Sequence, residues 1–198
     1  MDAAADTNTV QVLAIAGSLR IESFNRKALR IAKGFAEESG AVVREIDLKT
    51  LALPVFDEDL RAGGFPDSVQ NLKREIESSE MLLIATPEYN HGIPGPLKNA
   101  IDWASDLTNP FSGKIAAIFG ASATVFGTLR AQLQLRQVLA SLGVEILPQP
   151  QVYIRSAREA FLPDGSLADR HTTKHLRALV EESIRAVRRK RAPHAERK

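Results

Sequence analysis

The sequence contains no cysteine. That excludes disulfides, iron–sulfur clusters, thiolate zinc sites and a cysteine nucleophile, and it suits a reducing compartment. Long apolar runs are missing as well; none approaches the ~20 residues of a membrane span. Residues 1–9 are alanine-rich and polar, without the basic start and apolar centre of a secretory signal. The expected location is therefore cytoplasmic, with no membrane partner. Aromatics make up only 6% of the chain, and none is interleaved with basic residues in the manner of a nucleic-acid module. The net charge of +2 is concentrated at the end, in Arg188-Arg189-Lys190-Arg191 and beyond. Cations there suit a helix C-terminal dipole and a solvated tail, so no nucleic-acid partner is expected. Neither G-x-x-x-x-G-K-[ST] nor G-x-G-x-x-G occurs, which leaves an NTPase loop and a dinucleotide Rossmann fingerprint unsupported.

What is present fits one domain over residues 1–198, with residues 1–9 and 190–198 expected to be flexible. The chain has 198 residues, 44% hydrophobic and 25% charged, ordinary for a globular protein able to bury roughly 70% of its unfolded surface. Buried strands are expected at residues 10–16, 41–47, 81–85, 114–119 and 144–147. Helical patterns lie between them: from Asn25 to near Gly40, from Pro66 through Ile76, from Pro96 through Ala104, and over residues 128–142. A last helix is expected over residues 172–189, after a turn at Pro163-Asp164-Gly165-Ser166. Strand–helix alternation implies a parallel sheet with right-handed crossovers. Five strands suit an α/β flavodoxin-like three-layer sandwich, order 2-1-3-4-5, with helices on both faces. In that order the loops after strands one, three and four adjoin one another, at the switch point where such sheets bind ligands.

Those three loops carry the distinctive chemistry. The first, Gly17-Ser18-Leu19-Arg20-Ile21-Glu22-Ser23-Phe24-Asn25, combines hydroxyls, an amide, a guanidinium and a helix start, all suited to phosphate. Ser23 and Asn25 are also good helix N-cap types, so capping alone accounts for those two. The second runs from Pro87 through Pro96. Prolines stiffen it, while Gly92 and Gly95 are the expected points of sharp turning or close approach. Such a ledge offers fixed backbone donors and acceptors to the edge of a planar heterocycle. The third, from Gly120 to Gly127, is built of small residues, with Ser122 able to reach a ring's rim. The segment Leu53-Pro54-Val55-Phe56 is expected near the mouth.

Together, Gly17-Ser18-Leu19-Arg20…Ser23…Asn25 and Pro87-Glu88-Tyr89-Asn90…Pro94-Gly95-Pro96-Leu97-Lys98-Asn99-Ala100-Ile101-Asp102-Trp103 resemble the NAD(P)H-dependent FMN reductase family of flavodoxin-like proteins. The resemblance covers roughly residues 10–155. Bacterial members include quinone, chromate and azo-dye reductases. It implies that Ser18, Arg20, Ser23 and Asn25 hold the FMN phosphate with Phe24 beside them. Pro87, Glu88, Tyr89, Asn90 and Gly92 would line the isoalloxazine, largely through backbone atoms, and Ser122 would join from the third loop. FMN would be bound and NAD(P)H the co-substrate, with ping-pong transfer of hydride to a quinone or similar small acceptor, such as chromate, an azo dye or free flavin. Hydride transfer needs no dedicated acid or base, so no catalytic side chain and no metal are expected. One departure stands out: relatives often carry two glycines before the arginine that is Arg130 here, where this chain has Gly127-Thr128. Two other readings remain, a flavodoxin-type electron carrier and a flavin-binding redox sensor; the basic balance argues against the carrier. Apolar residues on more than one side of the 128–142 helix, Leu133 and Leu135 among them, suggest a homodimer or homotetramer.

Overall fold

The computed structural model describes residues 9–191. Its strands are β1 (Gln11–Ala16), β2 (Val42–Ile46), β3 (Met81–Ala85), β4 (Ile115–Ala121), β5 (Glu145–Ile146) and β6 (Val152–Ile154). Its helices are α1 (Phe24–Glu38), α2 (Leu48–Leu51), α3 (Glu58–Ala62), α4 (Asp67–Glu77), α5 (Gly95–Ser105), α6 (Leu129–Ser141), α7 (Ala157–Ala160) and α8 (Arg170–Arg191). The sheet is parallel and runs β2-β1-β3-β4-β5, with β6 also pairing β4. This is the flavodoxin-like order.

Successive strand residues face opposite sides, and both sides are covered. Val12, Ala14 and Ala16 of β1, with Met81, Leu83, Ala117 and Phe119, pack under α1 and α8. Leu13 and Ile15, with Leu82, Ile84, Ala116 and Ile118, pack under α4, α5 and α6. Double burial explains why β1, β3 and β4 read as continuous apolar runs rather than alternating ones.

The fifth strand differs from expectation. Only Glu145 and Ile146 pair with Ile115 and Ala116; the chain then breaks and re-enters as β6, where Val152 pairs Phe119 and Ile154 pairs Ala121. Pro148 and Pro150 lie between the two halves, and proline has no N–H to give a ladder. The irregular stretch after β2 contains two short helices, α2 and α3, each capped by an aspartate, Asp47 and Asp57. The segment 53–56 is gripped by α5: Asn99 Nδ2 and Trp103 Nε1 both donate to the Pro54 carbonyl at 2.8 Å, and the Phe56 ring meets Trp103 edge-on at 4.9 Å.

Lys190 and Arg191, expected in a flexible tail, belong instead to α8. Lys190 donates to Gly113 O at 2.7 Å, and Arg191 pairs with Glu80 and donates to Thr9 O. Arg188 donates to Ser39 O, where α1 ends. The basic run thus fastens α8 across the rim where the strands begin. Tail positions 192–198, and 1–8 at the other end, lie outside the described residues. Among the described residues, no helix is long and apolar enough to cross a membrane.

Candidate functional site

At the opposite rim, three loops meet through specific contacts. Gly17, at the end of β1, donates to Ala85 O at 2.9 Å. A Cβ on Gly17 would lie 3.1–3.2 Å from Leu97, Pro94 and Pro87, so the first loop sits directly against the base of the second. Thr86 N donates to Phe119 O, the last step of the β3–β4 ladder. Beyond it Pro87 turns away, while β4 continues to Ala121. Alternation along β4 leaves the N–H and C=O of Ala121 facing the gap. Asn25 fills it: Ala121 N donates to Asn25 Oδ1 at 2.8 Å, and Asn25 Nδ2 donates to Ala121 O at 2.9 Å. The side-chain amide replaces the strand that has departed, tying the first loop to the third.

The second loop is held from its far side by α6. The Glu88 side chain is only 8% exposed. Its carboxylate accepts from the backbone N–H of Arg130 (2.9 Å) and Ala131 (3.2 Å) and from the Arg130 guanidinium (3.1 Å). A carboxylate there satisfies two of the unpaired first-turn donors and complements the helix dipole. It caps α6 because the N-cap residue, Thr128, makes no side-chain capping bond. The buried Thr128 hydroxyl instead accepts from Gln132. One turn along, Gln134 Oε1 accepts from Ile93 N at 3.2 Å. That amide sits 3.1 Å from where a Cβ on Gly92 would be, which is what the glycine accommodates.

The sharp turn in this loop is not at its glycines. Tyr89 and Gly92 exchange both backbone hydrogen bonds, and the two residues between them, Asn90 (φ 48°) and His91 (φ 65°), occupy the left-handed region. Two consecutive positive φ values are those of a tight type I′ hairpin turn. The tip projects Tyr89, 47% exposed, together with Asn90 and His91, both exposed.

The remaining sequence-predicted residues divide into two groups. Ser18 and Ser23 are buried at the first loop, Ser23 capping α1 through a bond from Asn25 N at 3.2 Å. Arg20 is exposed, and its backbone N–H points to Ser18 Oγ. Ser122 stands in the third loop, bonded to Thr124. Pro87 is buried at the base of the second loop. Phe24, by contrast, is turned inward: its ring stacks on Phe161 at 5.6 Å and 16°. Asn25 is a brace whose two amide ends are already engaged by Ala121. Gln132 and Gln134 carry no cue in the sequence, and Arg130 is marked there only by the Gly127-Thr128 departure before it, not by its bond to Glu88.

An open hollow of about 570 Å³ lies over the first loop, lined by Gly17, Leu19, Arg20, Ile21, Lys49 and Tyr89 among others. A second, of 520 Å³, lies beside β6 and the start of α8 and includes none of the expected site residues. Chemically the first loop fits a phosphate. No described residue accepts from the N–H of Leu19, Ile21 or Glu22, and α1 has no acid in its first turn. Exposed donors, serine hydroxyls and a positive helix end are what a flavin mononucleotide tail requires.

Sheet order and loop convergence define a flavodoxin-like mononucleotide-binding α/β protein. Comparison with known proteins narrows the class. Residues 10–159 match the model of the NADPH-dependent FMN reductase family, and the chain belongs to that family. It is 44% identical over 182 residues to an NAD(P)H-dependent FMN reductase of Pseudomonas aeruginosa, covering 91% of this chain and 95% of that one. It is 33% identical over 184 residues to a 2-hydroxy-1,4-benzoquinone reductase of a Burkholderia species, covering 92% and 98%. Among solved structures it resembles the flavoenzyme NAD(P)H:acceptor oxidoreductase FerB of Paracoccus denitrificans, with a TM-score of 0.81, 36% identity, and coverage of 91% and 98%.

Proposed function

We propose that this chain is an FMN-dependent oxidoreductase that takes hydride from NAD(P)H and delivers it to a quinone or a similar small acceptor. Family membership and the similarity to quinone reductases along nearly the whole chain support that chemistry. The structural observation that carries it is the welding of three loops at one rim, by Gly17 on Pro87, Asn25 on Ala121 and Glu88 on α6. FMN, when bound, supplies the two-electron chemistry; the protein's part is to hold and orient.

The phosphate cradle is assigned to Ser18, Arg20, Ser23 and the free N–H groups of the first loop. The edge of the ring is assigned to the backbone of Pro87, Glu88, Tyr89, Asn90 and Gly92, with Ser122 opposite. Asn25 and Phe24 contribute by fixing that cradle, and no side chain is assigned acid–base work. A homodimer or homotetramer is part of this reading. Val125, Phe126, Leu129 and Leu133 are exposed in sequence along the third loop and α6, an apolar strip suited to a second copy. A cytoplasmic setting accords with the cysteine-free sequence.

The test is to purify the protein, record its visible spectrum, titrate FMN and follow NAD(P)H oxidation with a quinone. Yellow protein with quinone-dependent turnover is expected. Flavin binding without turnover would favour the electron carrier. Arg20→Ala should weaken FMN binding about tenfold or more, the worth of a charge-assisted hydrogen bond to phosphate. Unchanged affinity would remove Arg20 from the cradle.

A further inference from the structure

The hollow beside β6, of about 520 Å³, takes no residue from the first or second loop. Two histidines at the start of α8 stand on its wall, His171 and His175. They are four residues apart on one helix, so both side chains leave the same face, one turn above the other.

The pair has the geometry of a chelate. The ring centroids are 4.1 Å apart, with the planes inclined at 46°. Two imidazoles on one metal, each through a nitrogen at about 2.0–2.1 Å, have ring centres about 4.5–5 Å apart. A small rotation of either side chain supplies the difference. His175 Nδ1 lies 2.9 Å from the carbonyl oxygen of His171. A carbonyl only accepts, so the ring proton is on Nδ1 and the lone pair of Nε2 is free. One ring nitrogen fixed on a backbone carbonyl is how metal-ligating histidines are oriented. The His171 ring forms no hydrogen bond with any described residue.

The support is rigid, because α8 is anchored just beyond the pair by buried Leu176, Leu179 and Val180. The charges around it are mixed. Asp169 caps the helix, accepting from His171 N, Thr172 N and the Thr172 hydroxyl, and its carboxylate offsets the positive helix start. Arg155 lines the same hollow, and Lys174 lies between the two histidines in sequence. Those cations disfavour hard ions held by charge, such as Mg²⁺ and Ca²⁺, more than metals that prefer imidazole. Among the described residues no third histidine, aspartate or glutamate joins the pair, so the remaining coordination positions open into the hollow.

We propose that His171 and His175 form a two-imidazole site for a late first-row divalent metal, Zn²⁺, Ni²⁺ or Cu²⁺, with water in its other positions. The bound metal clips the first two turns of α8 together. This site does not depend on the oxidoreductase reading.

The experiment titrates the full chain, purified without an affinity tag, with Zn²⁺, Ni²⁺ and Mg²⁺ by calorimetry. One Zn²⁺ or Ni²⁺ per chain is expected, and no Mg²⁺. Electron paramagnetic resonance with Cu²⁺ should show nitrogen ligands. His171→Ala and His175→Ala should each weaken binding at least about tenfold, since losing a ligand costs no less than losing its outer partner. Lys174→Ala keeps both rings and should bind as well as wild type or better. Zn²⁺ should raise Tm in wild type and leave it unmoved in the double histidine variant, whose fold is checked by circular dichroism in metal-free buffer. Absence of binding, or undiminished binding by the double variant, would overturn the proposal. So would loss of binding in His91→Ala with His171→Ala unaffected, which would place the metal at the tip of the second loop.

Discussion

Replacing Asn25 with alanine tests the welding of the site most directly. Asn25 is 3% exposed, and its amide makes hydrogen bonds of 2.8 and 2.9 Å with the two backbone groups of Ala121. Those groups have no other strand to turn to, because β3 ends at Ala85 and proline follows two residues later. Alanine would leave a buried donor and a buried acceptor unmade, each costing about 1–3 kcal/mol. Together that is about 2–6 kcal/mol, and for a chain of this length roughly 4–24 °C in Tm. The assay is thermal unfolding followed by circular dichroism, with and without FMN. A fall of less than about 2 °C would show that water or a relaxed β4 satisfies Ala121, and the brace would lose its meaning.

A companion substitution sharpens the test. Asn25→Asp preserves shape and the acceptor for Ala121 N–H, but it sets a carboxylate against the Ala121 carbonyl. Burial and that carbonyl both disfavour the charged form, so the folded-state pKa of the new carboxyl would be raised. The folded state would then bind a proton more readily than the unfolded state, and stability would increase as pH falls. The deficit relative to wild type should therefore be larger at pH 8 than at pH 5. A pH-independent deficit would mean that the carboxyl has swung into solvent.

Other consequences can be checked with the same equipment. Gly120→Ala places a Cβ 2.1 Å from Thr86 O and 2.3 Å from Thr128 Oγ1; since the first is backbone, loss of more than about 3 kcal/mol is expected, and Thr128→Ala should not rescue it. Glu80 accepts from Gln11 N and pairs with Arg191; burial acts to raise its pKa, but the Arg191 and Gln11 bonds prevail and hold it below 4.5. Its contribution is therefore complete above the unfolded value and lost as pH falls through the lower folded one, so Glu80→Gln should flatten the acid limb of a stability–pH curve. His91→Gly, at φ 65°, should raise stability by about 0.5 kcal/mol by relieving the left-handed residue, measured by urea unfolding.

The parts of this fold that could be read from sequence are those fixed by periodicity and topology. β1, β3 and β4 are apolar without interruption because both faces are covered, and their helices carry clear stripes. α6 runs over Leu129–Ser141 between caps at Thr128 and Leu142, within one residue of the pattern's bounds. What escaped were features decided by backbone pairing. β6 is a strand of three residues that exists because β4 outlasts β5; Val152, Tyr153 and Ile154 are all strand-favouring types, but a run of three is too short to show a period. Ala131, Gln132, Leu135 and Leu139 form the buried side of α6. Gln132 breaks the apolar stripe because its amide is needed by Thr128 Oγ1 and Val152 O.

The candidate site shows the same division with more consequence. Composition marks the first and second loops as rich in polar groups. It could not tell which of those groups the protein uses on itself. Asn25, Glu88, Asn99 and Trp103 all sit in the motif stretches, and all four side chains bond to backbone: Ala121, Arg130 with Ala131, Pro54 with Phe56, and Pro54. A ligand rim at the end of a parallel sheet is made by strands that stop at different heights, and each early stop exposes the ladder of its neighbour. Those exposed groups must be paired before any ligand can be. The polar residues of such a motif are therefore divided between holding the rim open and facing what enters it. The place to look for the first kind is wherever a strand ends at proline beside a longer partner, as β3 does at Pro87.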